Sequence, residues 1–584
     1  MAARVSARAE TAVTTAAAPA QTAATAYAPV RRRLDRDDIL MRAGLLLLIG
    51  WMFVTLVLPL WALLSKSFQN QNGDFVGLAN YLLYFSTPAL FHSVWNSVYV
   101  SAVTTLIVLP LAFIYAYALQ RSCMRWKGLF QALALIPILA PSLLPAISLV
   151  YLFGNQGFLK ELLFGGSIYG AGGIIVAQVF YCFPHALMIL VAALSMADGR
   201  LYEAADALGA SKLRVFFTVT LPGAKYGVIS AGFVIFTLVI TDFGIAKVIG
   251  GQYNVLATDI YKQVIGQQSF GMGAVVGFVL LIPAVFAFAA DRIIQRRQVA
   301  LLSARAVPLI PGPVPRRDWS LFAFCAIVGG LILGVLLMAA WASLVTRWPY
   351  NLALTLKNYA FAEFDSNGWG AYWNSVVLAS WTAVIGTAVV FLGAYLLEKT
   401  RGFEWGRGVA QLMAMLPMAV PGLVLGLAYI FFFNAKANPL GFIYATMIIL
   451  VVNSVTHFYT VSHLTATTSL KQLDHEFEAV SASLKVSLLR TMARVTVPIC
   501  LPAVLDISIY LFVNAMTTVS AVIFLYSTDT KLAAVSIIHM DEAGFTASAA
   551  AMALVIVATS AAVKITHVLL TRRFDRSTQA WRQR

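Results

Sequence analysis

Asp242 and Lys247, in the run TDFGIAKVIGG, are charged side chains near the far end of a long apolar stretch, and Asp506 opens another. A charge at membrane depth is costly and is kept where it meets a partner or water. Asp242 is therefore a candidate either for structural pairing or for lining a polar path through the layer. Five residues separate it from Lys247, about 140° apart on an ideal helix, so the two are not an obvious pair. Lys247 is expected to snorkel to the nearby interface. His185, His457 and His463 also fall in apolar stretches. The six-residue step between the last two misses the i,i+4 spacing that sets two metal ligands on one helical face. Structural hydrogen bonding is the expectation for all three. Cys123, Cys182, Cys325 and Cys500 have neither metal-like spacing nor the pattern of a disulfide framework. No G-x-x-x-x-G-K-[ST], G-x-S-x-G or H-E-x-x-H occurs, so no nucleotide-binding, catalytic or metal site is expected in this chain.

The elements that carry these residues are set by composition. The chain is 60% hydrophobic and 11% charged with mean hydropathy +0.80, more apolar surface than a soluble domain could bury. Twelve apolar stretches of about 20 residues can be marked, long enough to cross a bilayer as helices and too long for barrel strands. They are 43–64, 98–119, 129–153, 172–194, 228–249, 272–290, 321–344, 375–397, 409–433, 443–464, 503–525 and 547–569. The fold class is all-α integral membrane protein. Of 41 Lys and Arg, 32 fall in the N-terminal tail, the even-numbered loops and the C-terminal tail. This bias places both termini in the cytoplasm, with the chain multi-pass in a bacterial cytoplasmic membrane. The net charge of +16 reads as topology plus attraction to anionic lipid, not nucleic-acid binding. The first stretch is too long and Leu-rich for a cleaved signal and is expected to stay in the membrane.

The chain repeats itself at an offset near 278 residues. Asn80-Tyr81 recurs as Asn358-Tyr359, and Trp95-Asn96-Ser97 as Trp373-Asn374-Ser375. Pro137 and Pro141 recur as Pro417 and Pro421, and Pro222 as Pro498. The order predicts a disordered tail over 1–42, a first six-helix module over 43–290 and a basic, Pro-rich linker over 291–320. A second module over 321–570 and a tail over 571–584 complete it. Each module enters and leaves on one side, so the copies are related by an axis along the membrane normal. The paired prolines are expected to kink helices beside a pathway.

Between the fourth and fifth stretch of each module lies a loop of unusual pattern. The first reads EAADALGASKLRVFFTVTLP, Glu203 to Pro222, and the second EAVSASLKVSLLRTMARVTVP, Glu478 to Pro498. In the first, Glu203, Ala204 and Ala205 are expected to begin a helix, with the acid favoured in the first turn. Gly209 permits a tight turn, and Pro222 suits the first turn of a new helix. In the second, Glu478 and Ala479 lead, and Lys485 occupies the place of Gly209.

These paired loops resemble the EAA loop of binding-protein-dependent ABC importer permeases of type I. The resemblance covers nearly all of the chain beyond the first 40 residues. It implies that the loops are docking helices for two separate ABC ATPase subunits, which hold the ATP and Mg. It also implies an extracytoplasmic substrate-binding protein as partner. Fused two-module permeases of this kind occur in ferric-iron, thiamine and 2-aminoethylphosphonate importers. The runs LIPILAPSLLPAISLVYLFGNQG and VITDFGIAKVIGGQYNVLATDIYKQVIGQQ are most similar to the aminoethylphosphonate group. A major-facilitator-type carrier also has twelve spans in two halves. Its usual acidic and basic motif between spans two and three does not fit QRSCMRWKG, Gln120 to Gly128.

Overall fold

A computed structural model describes residues 36–578 apart from 71, 302–306, 308, 401 and 475. Among the described residues eight helices are long and apolar enough to cross a membrane, and four bent pairs, each counted as one span, bring the number to twelve. Their order follows the twelve apolar stretches. Strand structure among the described residues is limited to a small hairpin, Val345–Arg347 with Asn351–Leu354, and one isolated bridge from Gln69 to Phe75.

The span ends differ from the sequence reading in ways that matter. Span one begins at Arg36, so the last seven residues of the expected tail are helical, while 1–35 lie outside the described residues. Span six continues to Leu301 and span seven starts at Pro315, which leaves a short linker. Span five ends at Thr241, not near 249, and span eleven ends at Thr517. Asp242 therefore sits beyond the helix end instead of within it.

Three of the four bends sit at prolines; the fourth, 54° in span ten between Met447–His457 and Tyr459–Lys471, has none. Span three is Lys127–Leu139 followed by Leu143–Phe153, turned by 101°; span nine is Glu404–Ala419 followed by Gly422–Phe433, turned by 112°. Each break contains a tight 3-10 turn holding Pro137 or Pro417, with Pro141 or Pro421 just after it. A proline lacks the amide donor and crowds the preceding turn, so two of them four residues apart end the helical ladder. Span eleven bends by 80° between Leu488–Ile499 and Leu501–Thr517, where Pro498 and Pro502 stand close together.

The repeated motifs make the same contacts in each module. Asn80 donates to the Ser67 and Gln69 carbonyls at 2.9 Å each, and Asn358 to those of Ser343 and Val345 at 2.9 and 2.8 Å. Ser97 accepts from the Leu256 amide and Ser375 from the Ala533 amide, both at 2.8 Å. The serine of the Trp-Asn-Ser repeat thus meets the first amide of a short helix that precedes the last span of its module, Leu256–Tyr261 in the first and Ala533–Glu542 in the second.

The two modules are interlocked. Span one, Arg36–Ser67, lays Met41, Leu45, Leu48 and Met52 against Val390, Phe391, Ala394 and Tyr395 of the second module. Span seven, Pro315–Leu344, packs on the first module, with the Phe322 and Phe130 rings 5.3 Å apart. Each module's first span thus covers the other module, and the large apolar core runs continuously across both.

Candidate functional site

Two regions gather the sequence-predicted residues: a cavity between the modules, and a pair of short helices on the face that collects the basic loops.

The cavity is about 410 Å³ and draws its walls from both modules. Asp242, His185 and Tyr181 come from the first, and His457, Tyr510 and Asn514 from the second. Pro417 and Pro421 line it directly; Pro137 and Pro141 do not, and their neighbours Ile138 and Ser142 take that place. Asp291 contributes a second carboxylate, while no Lys or Arg lines the cavity. Asp242 is held firmly. Its Oδ2 accepts from Gln178 Nε2 at 2.9 Å and from the Ile245 amide at 3.0 Å. The carboxylate thus caps the turn that follows span five and still presents an edge to the cavity.

The histidines depart from the expected structural hydrogen bonding. His185 Nδ1 lies 3.3 Å from the Tyr181 carbonyl, but neither ring nitrogen of His463 and not Nδ1 of His457 has a hydrogen-bond partner. His463 is fully buried and stacks on the Tyr459 ring at 5.5 Å. Among the described residues no three His, Cys, Asp or Glu side chains come together as a metal would require. Lys247 has a partner the sequence reading did not foresee: its Nζ meets Glu542 of the second module at 2.5 Å. Asp506 faces His567 at 3.2 Å.

The first loop forms the helix Gly199–Ala207 and a short turn of helix, Lys212–Val215. The second forms Glu476–Ser483 and Leu488–Thr491. Each opens on an aspartate: Asp198 Oδ1 accepts from the Arg200 amide and Asp474 Oδ1 from the Glu476 amide, both at 3.1 Å. This satisfies a helix-start donor. It also corrects the expected helix start, since Glu203 is the fifth residue of its helix and Glu478 the third of its own. Gly209 sits at φ +66° and Lys485 at φ +53°, so Lys485, aligned with Gly209, takes the same left-handed turn. A wide π-turn follows in each, Phe216–Thr220 and Met492–Thr496. It admits Pro222 and Pro498, each at the start of its next helix.

The acids and alanines are not the whole surface. Leu201, Leu208 and Leu213 are exposed on the first loop, and Phe477, Leu484 and Leu489 on the second, each pair offset by 276 residues. Leu208 is 86% exposed and Leu484 69%. The two equivalent loops thus hold out matched apolar side chains at the same positions. The repeat carries this signal in the sequence, as apolar residues at matched positions of the two loops. Glu478 instead faces inward, its Oε1 3.1 Å from the buried Lys399 Nζ. At the equivalent place Arg121 stands over the Tyr202 ring, 5.2 Å from its centroid.

An all-helical, multi-pass membrane protein of two tandem modules, with matched loops on one face and a shared cavity, is the class these features define. The chain belongs to the family described as binding-protein-dependent transport system inner membrane component, whose pattern it matches twice, over residues 108–299 and 389–576. It is 28% identical to the "Putative ferric transport system permease protein FbpB 1" of Haemophilus influenzae, over 86% of this chain and 80% of that one. It is 26% identical to the ferric transport system permease protein FbpB of Actinobacillus pleuropneumoniae, over 90% and 77%. The spermidine/putrescine transport system permease protein PotB of Haemophilus influenzae matches 43% of this chain at 24% identity and is itself 94% covered. Among solved structures, a bacterial alginate ABC transporter bound to its periplasmic protein matches 44% of the chain and 96% of its own, at 17% identity and TM-score 0.39.

Proposed function

We propose that this chain is the two-module permease of an ATP-driven importer, with its basic face and both termini in the cytoplasm. One observation carries the reading: two equivalent loops hold out matched apolar side chains beside a helical connection into spans five and eleven. Such a pair suits two ATPase subunits, one on each loop, which supply the ATP and Mg that this chain has no motif to bind. Closure of the ATPases would draw the loops together. Because each loop runs through a π-turn into its span, that movement would swing spans five and eleven and open the cavity to the far side. A substrate-binding protein would deliver its cargo there.

For the substrate we propose 2-aminoethylphosphonate. The reading is supported by the similarity of the two runs around spans three and five to that importer group. The cavity suits it, since a carboxylate on one module faces imidazole, phenol and amide groups on the other. Ferric iron is the second reading, favoured by the names of the two relatives that align along most of the chain. Uptake of labelled 2-aminoethylphosphonate under phosphate starvation tests the choice. Loss on deletion, restored by the intact gene, supports the first. Unchanged uptake with lost ferric uptake supports the second.

A further inference from the structure

Four side chains form a row that crosses between the modules twice. Glu542 of the second module pairs with Lys247 of the first at 2.5 Å. Lys247 Nζ also lies 4.9 Å from the centroid of the Tyr261 ring, in its own module. Tyr261 in turn stacks on Phe524 of the second module, with centroids 6.4 Å apart and planes 27° apart. We propose that this row is the latch that closes the cavity on the side facing the binding protein. The proposal rests on the permease reading.

Position supports it. The cavity wall ends at Asp242–Gly244 in the first module and Thr518–Ser520 in the second. Lys247 lies three residues beyond Gly244, in the short helix Gly244–Ile249, and Phe524 lies four beyond Ser520. The row therefore stands just past the cavity, on the side away from the matched loops. Opening the cavity in that direction separates the modules there, and both crossings of the row must part. Their chemistry suits a reversible closure. The Lys247 and Glu542 side chains are 22% and 41% exposed, so water can take over both charges when they separate. A partly exposed pair of this kind is weak enough to be broken in each cycle, and the ring beneath Lys247 adds a modest attraction.

The latch is also one-sided. The position equivalent to Lys247 at the 276-residue offset is Ile523. An ionic arm is thus built at one of two related contacts, and an aromatic one at the other.

The test uses the full chain with its ATPase in proteoliposomes. Lys247→Met and Glu542→Gln are each expected to raise ATP hydrolysis in the absence of binding protein by about fivefold, the scale of one weak ion pair. The charge exchange Lys247→Glu with Glu542→Lys should bring it back to within about twofold of wild type, since the cation over Tyr261 is lost but the pair returns. In a Cys123→Ser background, Lys247→Cys with Glu542→Cys joined by a short bis-methanethiosulfonate linker, which attaches through a disulfide at each end, should stop uptake, and thiol reductant should restore it. Basal hydrolysis unchanged in both single variants, or wild-type uptake by the cross-linked protein, overturns the latch. Failure of the parent reading is seen separately: the wild-type chain would then bind and couple no ATPase at all.

Discussion

Gly244 packs against Ser142 so closely that a Cβ on the glycine would lie 2.5 Å from the serine Oγ. The second module makes the same contact with the residues exchanged. Ser520 stands where Gly244 does, Gly422 stands where Ser142 does, and a Cβ on Gly422 would lie 2.7 Å from Ser520 Oγ. In both modules the break in the third helix touches the turn after the fifth, and only one of the two residues can carry a side chain. The choice in the first module follows from Asp242, because the Ser142 hydroxyl is a hydrogen-bond partner of its carboxylate. The second module has Thr518 in place of that acid and needs no such donor.

Gly244→Ala should therefore cost about 1–3 kcal/mol through overpacking, seen as a lower melting temperature of the purified protein. Adding Ser142→Gly should recover most of it by clearing the contact. The recovery should be incomplete, because Asp242 then loses a donor. A double variant no more stable than the single one would show that the crowding lies elsewhere.

Gly209 and Lys485 share a left-handed turn but not its cost. An ordinary side chain in that conformation costs roughly 1 kcal/mol relative to glycine, and open space surrounds Gly209. Gly209→Ala should weaken the first loop by about that amount, and Lys485→Gly should leave the second intact or steady it. Hydrogen exchange across 199–215 and 476–491 measures both. Protection falling equally in the two variants would contradict the assignment.

Spans were legible because about 20 apolar residues in a row have few other uses, and the duplication was legible in residues such as Asn80 and Asn358. The breaks were half legible. Proline marks them, yet Pro110, Pro184 and Pro283 stay inside continuous helices, so proline alone does not decide. The end of span five was missed because FGIAKVIGG is apolar enough to read as more membrane helix. Lys247 and Glu542 lie far apart in the chain and in different modules, and no local pattern announces their pairing. The left-handed turn at Lys485 was recoverable only through the repeat.

The exposed leucines should carry ATPase binding. Leu208→Asp or Leu484→Asp is expected to weaken capture of the ATPase by about tenfold or more, as loss of a central apolar anchor does. The double variant should abolish uptake while the protein still inserts. Copurification with the ATPase reads the result, and full recovery of the ATPase with the double variant would refute the assignment.

Lys399 should hold the second loop to the end of span eight, Trp369–Glu398. Its Nζ donates to the Leu473 carbonyl at 3.1 Å as well as pairing with Glu478. Lys399→Met removes both contacts from a buried site and should cost about 2 kcal/mol, less than a fully buried pair because Glu478 is partly exposed. The stronger readout is coupling: ATP hydrolysis per substrate imported should rise several-fold. Glu478→Gln keeps a hydrogen bond and should show a smaller rise, and equal effects would assign the role to charge alone.

Asp242 does two jobs that substitution can separate. Asn at this position keeps an oxygen for the Ile245 amide, so the turn and the protein's stability should survive. The negative edge toward the cavity is lost, which leaves Asp291 as the other carboxylate in the lining to hold a positively charged group. Asp242→Asn is therefore expected to lower uptake of labelled 2-aminoethylphosphonate by about tenfold, the scale of one charge-assisted hydrogen bond. Asp242→Ala should lose the cap as well and lower the melting temperature. Uptake by the Asn variant equal to wild type would reduce Asp242 to a structural cap, and the path for the substrate would have to be sought among the hydroxyl and amide groups of the second module.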